Sequence, residues 1–317
     1  MMATRGDSTA IPDRAPEPQA GGSPAFGPAA LPAWRLVYWS ARRELWENRW
    51  TYIVPLIVAA VFLCGFTIGA ARMPFMLIGG SPAGRAGRSL GTPLDLASFA
   101  LMLTYLIVAV VYCVGALHGE RSDRSILFWK SLPVSDAATV IAKATVPIVI
   151  LPLITFAIIV VTQVIMLLAG SAVLLARGAG PAVLWAQTSL LPLWAAMLYH
   201  LLTVHALYYA PIYGWLLLVS GWARRATFLW AILPIIVILI IEKLAFDTSA
   251  FARMLLSRLS GGPAAIPFPP AGNMPMQAPT LANLGSFLES TGLWAGLAVC
   301  AVFLAAAVRL RRYQGPI

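Results

Sequence analysis

Residues 118–143 read HGERSDRSILFWKSLPVSDAATVIAK and separate two long apolar runs. These runs, at 97–117 and 144–170, are each long enough to cross a bilayer, so the segment between them is a loop at one membrane face. Within the loop, Phe128 and Trp129 stand among charged residues. Exposing two large adjacent apolar side chains to water is unfavourable. We therefore expect the membrane, other helices of the chain or another protein to cover them.

The composition of the chain is that of a membrane protein. Of its 317 residues, 60% are hydrophobic and only 11% are charged, whereas soluble domains carry about 25% charged residues. The net charge of +10 would suggest nucleic acid for a soluble protein. In this chain it is typical of basic residues kept beside anionic lipid, and no basic run with interleaved aromatics indicates nucleic-acid binding.

The hydrophobic pattern predicts an all-α polytopic membrane protein with six transmembrane helices. The predicted spans are about 52–71, 97–117, 145–169, 195–220, 226–245 and 291–308. We expect a disordered tail over 1–33, because that stretch is rich in Pro, Ala and Gly. The membrane domain then covers 34–312, and 313–317 form a short second tail. An amphipathic helix at 34–50, with four tryptophans and several arginines, is predicted to lie in the headgroup layer before the first span.

The distribution of basic residues predicts the orientation. Of the 22 Lys and Arg residues, 15 lie on the side of the N-terminus and of the 118–143 loop. Since basic residues are retained in the cytoplasm, we expect both termini and this loop to be cytoplasmic. The opposite side includes a long segment, 243–290, without secondary-structure periodicity.

Motifs for nucleotide hydrolysis and for other common enzyme chemistry are missing from the sequence. None of the three lysines follows a glycine, so no Gly-rich phosphate loop is present, and there is no His-Glu-x-x-His or Gly-x-Ser-x-Gly pattern. The cysteines, Cys64, Cys113 and Cys300, lie far apart within apolar runs. We therefore expect no enzyme activity, metal site or bound cofactor in this chain by itself.

Three polar residues within the spans are candidates for a substrate path or a gate: His200, His205 and Glu242. A spacing of five puts the two histidines roughly 140° apart on an α-helix, which favours separate hydrogen bonds across helices over a shared metal or proton site. Glu242 ends the fifth span beside Lys243, so both side chains can simply reach the outer interface. A role for Glu242 in gating or in binding a cationic substrate is the alternative.

Helix signals in the loop predict a short helix between rigid connections. Gly119 interrupts the helix of the second span, and Ser122 or Asp123 can cap a helix that runs to about Leu132, with Glu120 and Arg124 spaced to pair. Pro133 stops this helix. Ser135 then caps the next helix, with Asp136 in its first turn, so a push on the loop would reach both neighbouring spans.

The loop resembles the cytoplasmic loop of type-2 ABC transporter permeases, the membrane subunits of ATP-driven exporters. The residues that carry the resemblance are Glu120-Arg121, Ser125, the run Ser131 to Ser135, and Lys143. The span arrangement over 34–312 is similar as well. Two later stretches, Val204 to Pro211 and Trp222 to Arg225, are also family-like.

The resemblance implies a permease that pairs with a second permease subunit, identical or different, in the bacterial inner membrane. It also implies a separate ATP-binding subunit, which would hold ATP and Mg²⁺ and receive the loop helix in a groove. The residues implied for this contact are Glu120, Arg121, Arg124, Ile126, Phe128, Trp129, Lys130, Leu132 and Pro133. The apolar members would fill the groove and the basic ones would pair with acids at its rim. The aromatic centre of the loop departs from the family pattern, and headgroup anchoring is the alternative role for Phe128 and Trp129.

Two other functions fit parts of the sequence. A non-transporting scaffold or regulatory subunit would use the same loop only to recruit a partner. An intramembrane enzyme would use His200 and His205, with Glu242 as an optional third residue, and would need these side chains to converge on a water-filled cavity. For a transporter, the scarcity of charge within the spans favours a lipid-like, amphiphilic or hydrophobic peptide cargo over a small ion.

Overall fold

The computed structural model of the chain describes residues 33–72, 86–125, 135–178, 180–187, 190–261 and 281–313. Throughout these ranges the secondary structure is helical, with no strand. The helices are α1 (Ala33–Glu47), α2 (Trp50–Arg72), α3 (Ala86–Ala116), α4 (His118–Ser122), α5 (Asp136–Thr145), α6 (Leu151–Ala176), α7 (Ala182–Gln187), α8 (Leu190–His200), α9 (Ala210–Trp222), α10 (Thr227–Phe246), α11 (Ala250–Leu259), α12 (Leu281–Glu289) and α13 (Thr291–Tyr313). Two π-helical segments, π1 (Val146–Ile150) and π2 (Leu201–Tyr208), join α5 to α6 and continue α8.

Six of the described helical stretches are long and apolar enough to cross a membrane, which confirms the predicted all-α polytopic class. They are Trp50–Ala70, Pro93–Ser122, Asp136–Ala176, Leu190–Tyr208, Thr227–Phe246 and Thr291–Tyr313. The fourth differs most from its prediction. It begins at Leu190 and includes π2, and the apolar helix α9 follows after a turn at Tyr209. Pro211 in the first turn of α9 explains this break, because proline cannot donate a backbone hydrogen bond to the preceding helix.

The core of the bundle lies between α3, π1, π2, α9 and α13. Helix α9 packs along α13, where a Cβ atom at Gly214 would lie only 3.2 Å from the Cys300 sulfur. Tyr105, Tyr213, Met197 and Leu217 are fully buried in this core. A second contact layer joins α2 to α3 and α6. The large buried side chains thus come from helices distant in the chain, which fixes their arrangement.

Helix α10 stands apart from this core over most of its length. Its buried residues are Thr227 and Ala231, both in the first two turns. Large apolar side chains elsewhere on the helix are exposed, including Leu244 at 86% and Phe246 at 72%. A helix that is apolar on all sides and exposed in this way suits a hydrocarbon environment or a neighbouring membrane helix.

The helix α1 confirms the predicted helix before the first span, and its exposed side chains include Tyr38, Trp39 and Trp46. The opposite face is buried through Ala41 and Glu44. It is this second face that contacts α5 and determines the geometry of the candidate site.

Candidate functional site

The two ends of the 118–143 loop meet in a cluster of ion pairs, which we call the loop-root cluster. Its members come from α1, α4, α5 and α13 and are Arg43, Glu44, Glu47, Glu120, Asp136, Lys143 and Arg311. Four of these are buried: Glu44, Glu120, Lys143 and Arg311. Buried charges persist in a low-dielectric interior only when they are paired, so the geometry of the cluster is strongly constrained.

Lys143 lies at the centre of the cluster. Its Nζ donates a hydrogen bond to Glu44 Oε1 at 2.7 Å and lies 3.1 Å from Glu120 Oε1. The other oxygen of Glu44, Oε2, accepts a hydrogen bond from the hydroxyl of Tyr112 at 3.1 Å. One lysine on α5 therefore joins α1 to α4, and Tyr112 adds α3 to the same network.

Arg311 ties the last helix to both ends of the loop. Its Nη1 pairs with Glu120 Oε2, and its Nε donates to Asp136 Oδ1 at 3.1 Å. Glu120 precedes the loop helix predicted from the sequence and Asp136 follows it. A displacement of either loop end must consequently move α13 or break an ion pair with the buried Arg311.

The half-buried Arg43 and the exposed Glu47 form the rim of the cluster. Arg43 Nη2 lies 3.2 Å from Glu44 Oε1, and its Nε lies 3.3 Å from Glu47 Oε1. Partial burial raises the pKa of the Glu47 carboxyl, although the Arg43 guanidinium acts in the opposite direction. The rim therefore marks the boundary between water and the buried pairs.

A second set of contacts holds α4 against the end of α9. Arg121 Nη1 donates to the backbone oxygen of Gly221 at 2.6 Å. The hydroxyl oxygen of Ser220 accepts hydrogen bonds from the backbone N–H groups of Leu117 and His118, at 3.0 and 2.9 Å. These bonds satisfy backbone groups exposed by the turn at Leu117, which ends α3 two residues before the predicted break at Gly119.

The loop helix itself cannot be compared with its prediction, because residues 126–134 lie outside the described residues. That range contains six of the predicted contact residues: Ile126, Phe128, Trp129, Lys130, Leu132 and Pro133. At its far end, the predicted cap is confirmed: the Ser135 side chain accepts a hydrogen bond from the backbone N–H of Ala138 at 3.1 Å.

Three predicted details of the near end of the loop differ in the structure. The expected pairing of Glu120 with Arg124 is wrong, because Glu120 faces Lys143 and Arg311 in the interior. Arg124 is exposed and has a left-handed backbone, with φ of 58°. Asp123, which was predicted as a possible cap at the start of the loop helix, instead ends α4 as its C-cap. Since Glu120 and Arg121 are both buried, their geometry supports anchoring of the loop in place of the direct partner contact that the family resemblance implies.

A second polar group lies deeper in the bundle, where Tyr105 bridges the two π segments. Its hydroxyl lies 2.8 Å from the backbone oxygen of Pro147 in π1 and 3.1 Å from that of His205 in π2. The hydroxyl of Tyr213 also donates to the His205 oxygen, at 2.9 Å. The π geometry frees carbonyl groups from the regular α-helical pattern, and these buried hydroxyls hydrogen-bond them.

The expected separation of His200 and His205 is wrong. Both side chains are buried, and their ring centroids lie 5.0 Å apart. Residue His205 lies within π2, where hydrogen bonds run from i to i+5, so residues five apart fall on one face. The His205 ring also lies 5.5 Å from Tyr105 and 5.4 Å from Tyr209.

Glu242 does not join the histidines in the structure. Its carboxylate accepts hydrogen bonds from the backbone N–H of Phe251, at 3.1 Å to each oxygen, and from the hydroxyl of Thr248 at 3.0 Å. It thus caps the N-terminus of α11. The neighbouring Lys243 pairs with Asp247 at 2.5 Å on the exposed surface.

No family model, curated protein or solved structure matches this chain. The resemblance to type-2 permeases therefore stays an expectation from the sequence.

The sequence did not indicate several members of the loop-root cluster, namely Glu44, Asp136 as an ion-pair partner, and Arg311. One signal for Glu44 was present: it follows Ala41 by three residues and so shares the buried face of α1.

Proposed function

We propose that this chain is the membrane-spanning permease subunit of an ATP-driven exporter. Its 118–143 loop would receive force from a separate ATP-binding subunit, and its helices would form the translocation path together with a second permease subunit. The observation that supports this proposal best is the loop-root cluster. Both ends of the loop are held by buried ion pairs that include α1 and α13, so a displaced loop would carry several helices with it.

The stiffness of the connections between the loop and its spans determines how the chain responds to a push on the loop. A loop joined to its spans by slack would absorb a push, whereas breaking one buried ion pair costs about 3–5 kcal/mol. When the loop is pushed, moving the connected helices together as a rigid unit therefore costs less energy than breaking the ion pairs. The Tyr105 bridge extends the connection, since α3 ends at the loop and contacts both π segments in the core. Such packed elements switch between discrete arrangements, which is what alternating access requires.

Photo-crosslinking at the loop tests this proposal. A photoreactive amino acid would replace Trp129 in one variant and Trp222 in a matched control, since Trp222 is an exposed tryptophan at the end of the helix that contacts α4. We expect the Trp129 variant to capture a protein whose sequence contains an ATP-binding cassette, and the Trp222 variant to capture it at most weakly. Capture of a protein without nucleotide-binding motifs would support the scaffold alternative and overturn the proposal.

The contact between His200 and His205 favours a second candidate function, an intramembrane enzyme. The angular separation that argued against it is removed by the π geometry. Replacing both histidines by phenylalanine retains ring packing and removes the imidazole chemistry. The enzyme would be supported over the permease if this variant lost an enzymatic activity of the wild-type chain. Its thermal unfolding and the protein captured by crosslinking at residue 129 would have to stay unchanged.

A further inference from the structure

A shallow apolar groove runs along the last helix near the loop-root cluster. Its volume is about 600 Å³, and its lining residues are Ala137, Val302, Ala305, Ala306, Val308 and Arg309. The lining is alanine and valine except at one end, where Arg309 closes it. Ala137 belongs to the first turn of α5 and the others to α13, so the groove lies between these two helices.

The groove ends at one arginine of its lining, Arg309, and a second arginine, Arg312, follows one helical turn further along α13. Arg309 and Arg312 are exposed and one helical turn apart, and neither has an ion-pair partner in the part of the chain that the structure describes. Arg311, between them in sequence, points the opposite way and is buried in the loop-root cluster. In the last turns of α13, Arg311 therefore belongs to an internal network, whereas Arg309 and Arg312 lie on an outer face where α13 itself carries no acid.

The shape and charge of this face suit one kind of occupant. Alanine and valine side chains leave room for a hydrocarbon chain, and the two guanidinium groups match a phosphate bidentately. A second copy of this chain is disfavoured as the occupant, because its surface would have to supply acids to pair with Arg309 and Arg312. With a net charge of +10, the chain also has few acids to offer this face.

We propose that the groove binds an anionic phospholipid, with an acyl chain along Ala305 and Ala306 and the phosphate at Arg309 and Arg312. The proposal does not depend on the transport function. It places a lipid beside Ala137, the residue after Asp136, so the bound lipid would border the ion pair between Asp136 and Arg311.

Native mass spectrometry of the full-length protein in detergent tests the proposal. The probes are dioleoyl phosphatidylglycerol and the zwitterionic dioleoyl phosphatidylcholine, each titrated separately. We expect one phosphatidylglycerol per chain to bind in preference to phosphatidylcholine. The variant R309Q/R312Q should weaken phosphatidylglycerol binding on the order of thirtyfold, since each basic residue near an anionic headgroup contributes about fivefold. The matched control is R224Q/R225Q, which removes two exposed arginines elsewhere and should change binding little.

A second variant tests the groove apart from its charge. Ala305 is exposed, so A305F can fold while its ring fills the groove. We expect A305F to weaken phosphatidylglycerol binding with both arginines retained. Equal losses in R309Q/R312Q and R224Q/R225Q would overturn the proposal, because they would indicate a general charge effect. A dimer that A305F disrupts, with phosphatidylglycerol binding unchanged, would also overturn it and would assign the groove to a second copy.

Discussion

At the scale of single residues, Lys143 has the largest predicted effect. It lies between two buried carboxylates, Glu44 and Glu120, at 2.7 and 3.1 Å. Replacing it by methionine keeps the aliphatic stem and removes the charge, which leaves Glu44 with its Tyr112 hydrogen bond and the partly exposed Arg43. The variant should be less stable, because the buried carboxylates lose a partner that offsets the cost of removing them from water.

We predict that Lys143→Met lowers the free energy of unfolding by about 3–5 kcal/mol. Unfolding in mixed detergent, followed by tryptophan fluorescence, measures this change. The control is Lys243→Met, because Lys243 pairs with Asp247 on the surface, where both side chains are largely exposed. That pair should contribute less than about 1 kcal/mol. Equal losses in the two variants would show that Lys143 is not held in a buried network.

Single residues also show why the site was only partly predictable. Glu120 and Lys143 were singled out because they resemble a family loop, and Ser135 because a serine before an acidic helix start is a local signal. Their partners were not found. Glu44 is 99 residues from Lys143, and Arg311 is 191 residues from Glu120. Such pairings depend on how helices pack, which one sequence does not specify.

At the scale of elements, an arginine makes several of the contacts that hold α11 to the bundle. The Arg258 guanidinium lies 4.4 Å from the ring centroid of Tyr208, and its Nη1 donates to the Tyr208 backbone oxygen at 3.0 Å. Its Nη2 donates to the backbone oxygen of Gly292 at the start of α13. This position exists only because Gly296 has no side chain: a Cβ there would lie 2.3 Å from Arg258 Nη1.

We predict that Gly296→Ala displaces Arg258 and lowers stability by about 1–3 kcal/mol. The same substitution in an Arg258→Ala background should cost much less, so the double-mutant cycle should give a coupling above about 0.5 kcal/mol. Gly292→Ala is the control, because a Cβ at that position meets its nearest atom, the Tyr208 hydroxyl, at an ordinary 3.6 Å. Additive effects of Gly296→Ala and Arg258→Ala would contradict the contact.

The elements were the most predictable level of the structure. Long apolar runs identified all six candidate spans that the described residues contain, because a bilayer requires helices of about 20 apolar residues. The π segments were not predicted, since their composition is as apolar as the α-helices around them. Their consequence was considerable: π2 brings the His200 and His205 rings into contact, which reverses a conclusion drawn from α-helical periodicity.

At the scale of the whole molecule, the structure has a connected core and a helix, α10, that is buried against it only in its first two turns. The α3, α9 and α13 helices share the buried core, whereas α10 exposes large apolar side chains along most of its length. The loop-root cluster joins the core to α1 and to both ends of the loop. In the proposed permease, this connected part would move as a unit when the loop is displaced.

The most direct test is the rate of ATP hydrolysis by the proposed complex in lipid vesicles. The variant changes Phe128 and Trp129 to alanine, with Trp222→Ala as the control, and the ATP-binding subunit is the one captured by crosslinking at residue 129. If the loop receives the force, the wild-type chain should change the hydrolysis rate of that subunit. The double variant should lose most of this change, and the control should keep it. Equal rates with the wild-type chain and with the double variant would contradict coupling through the loop.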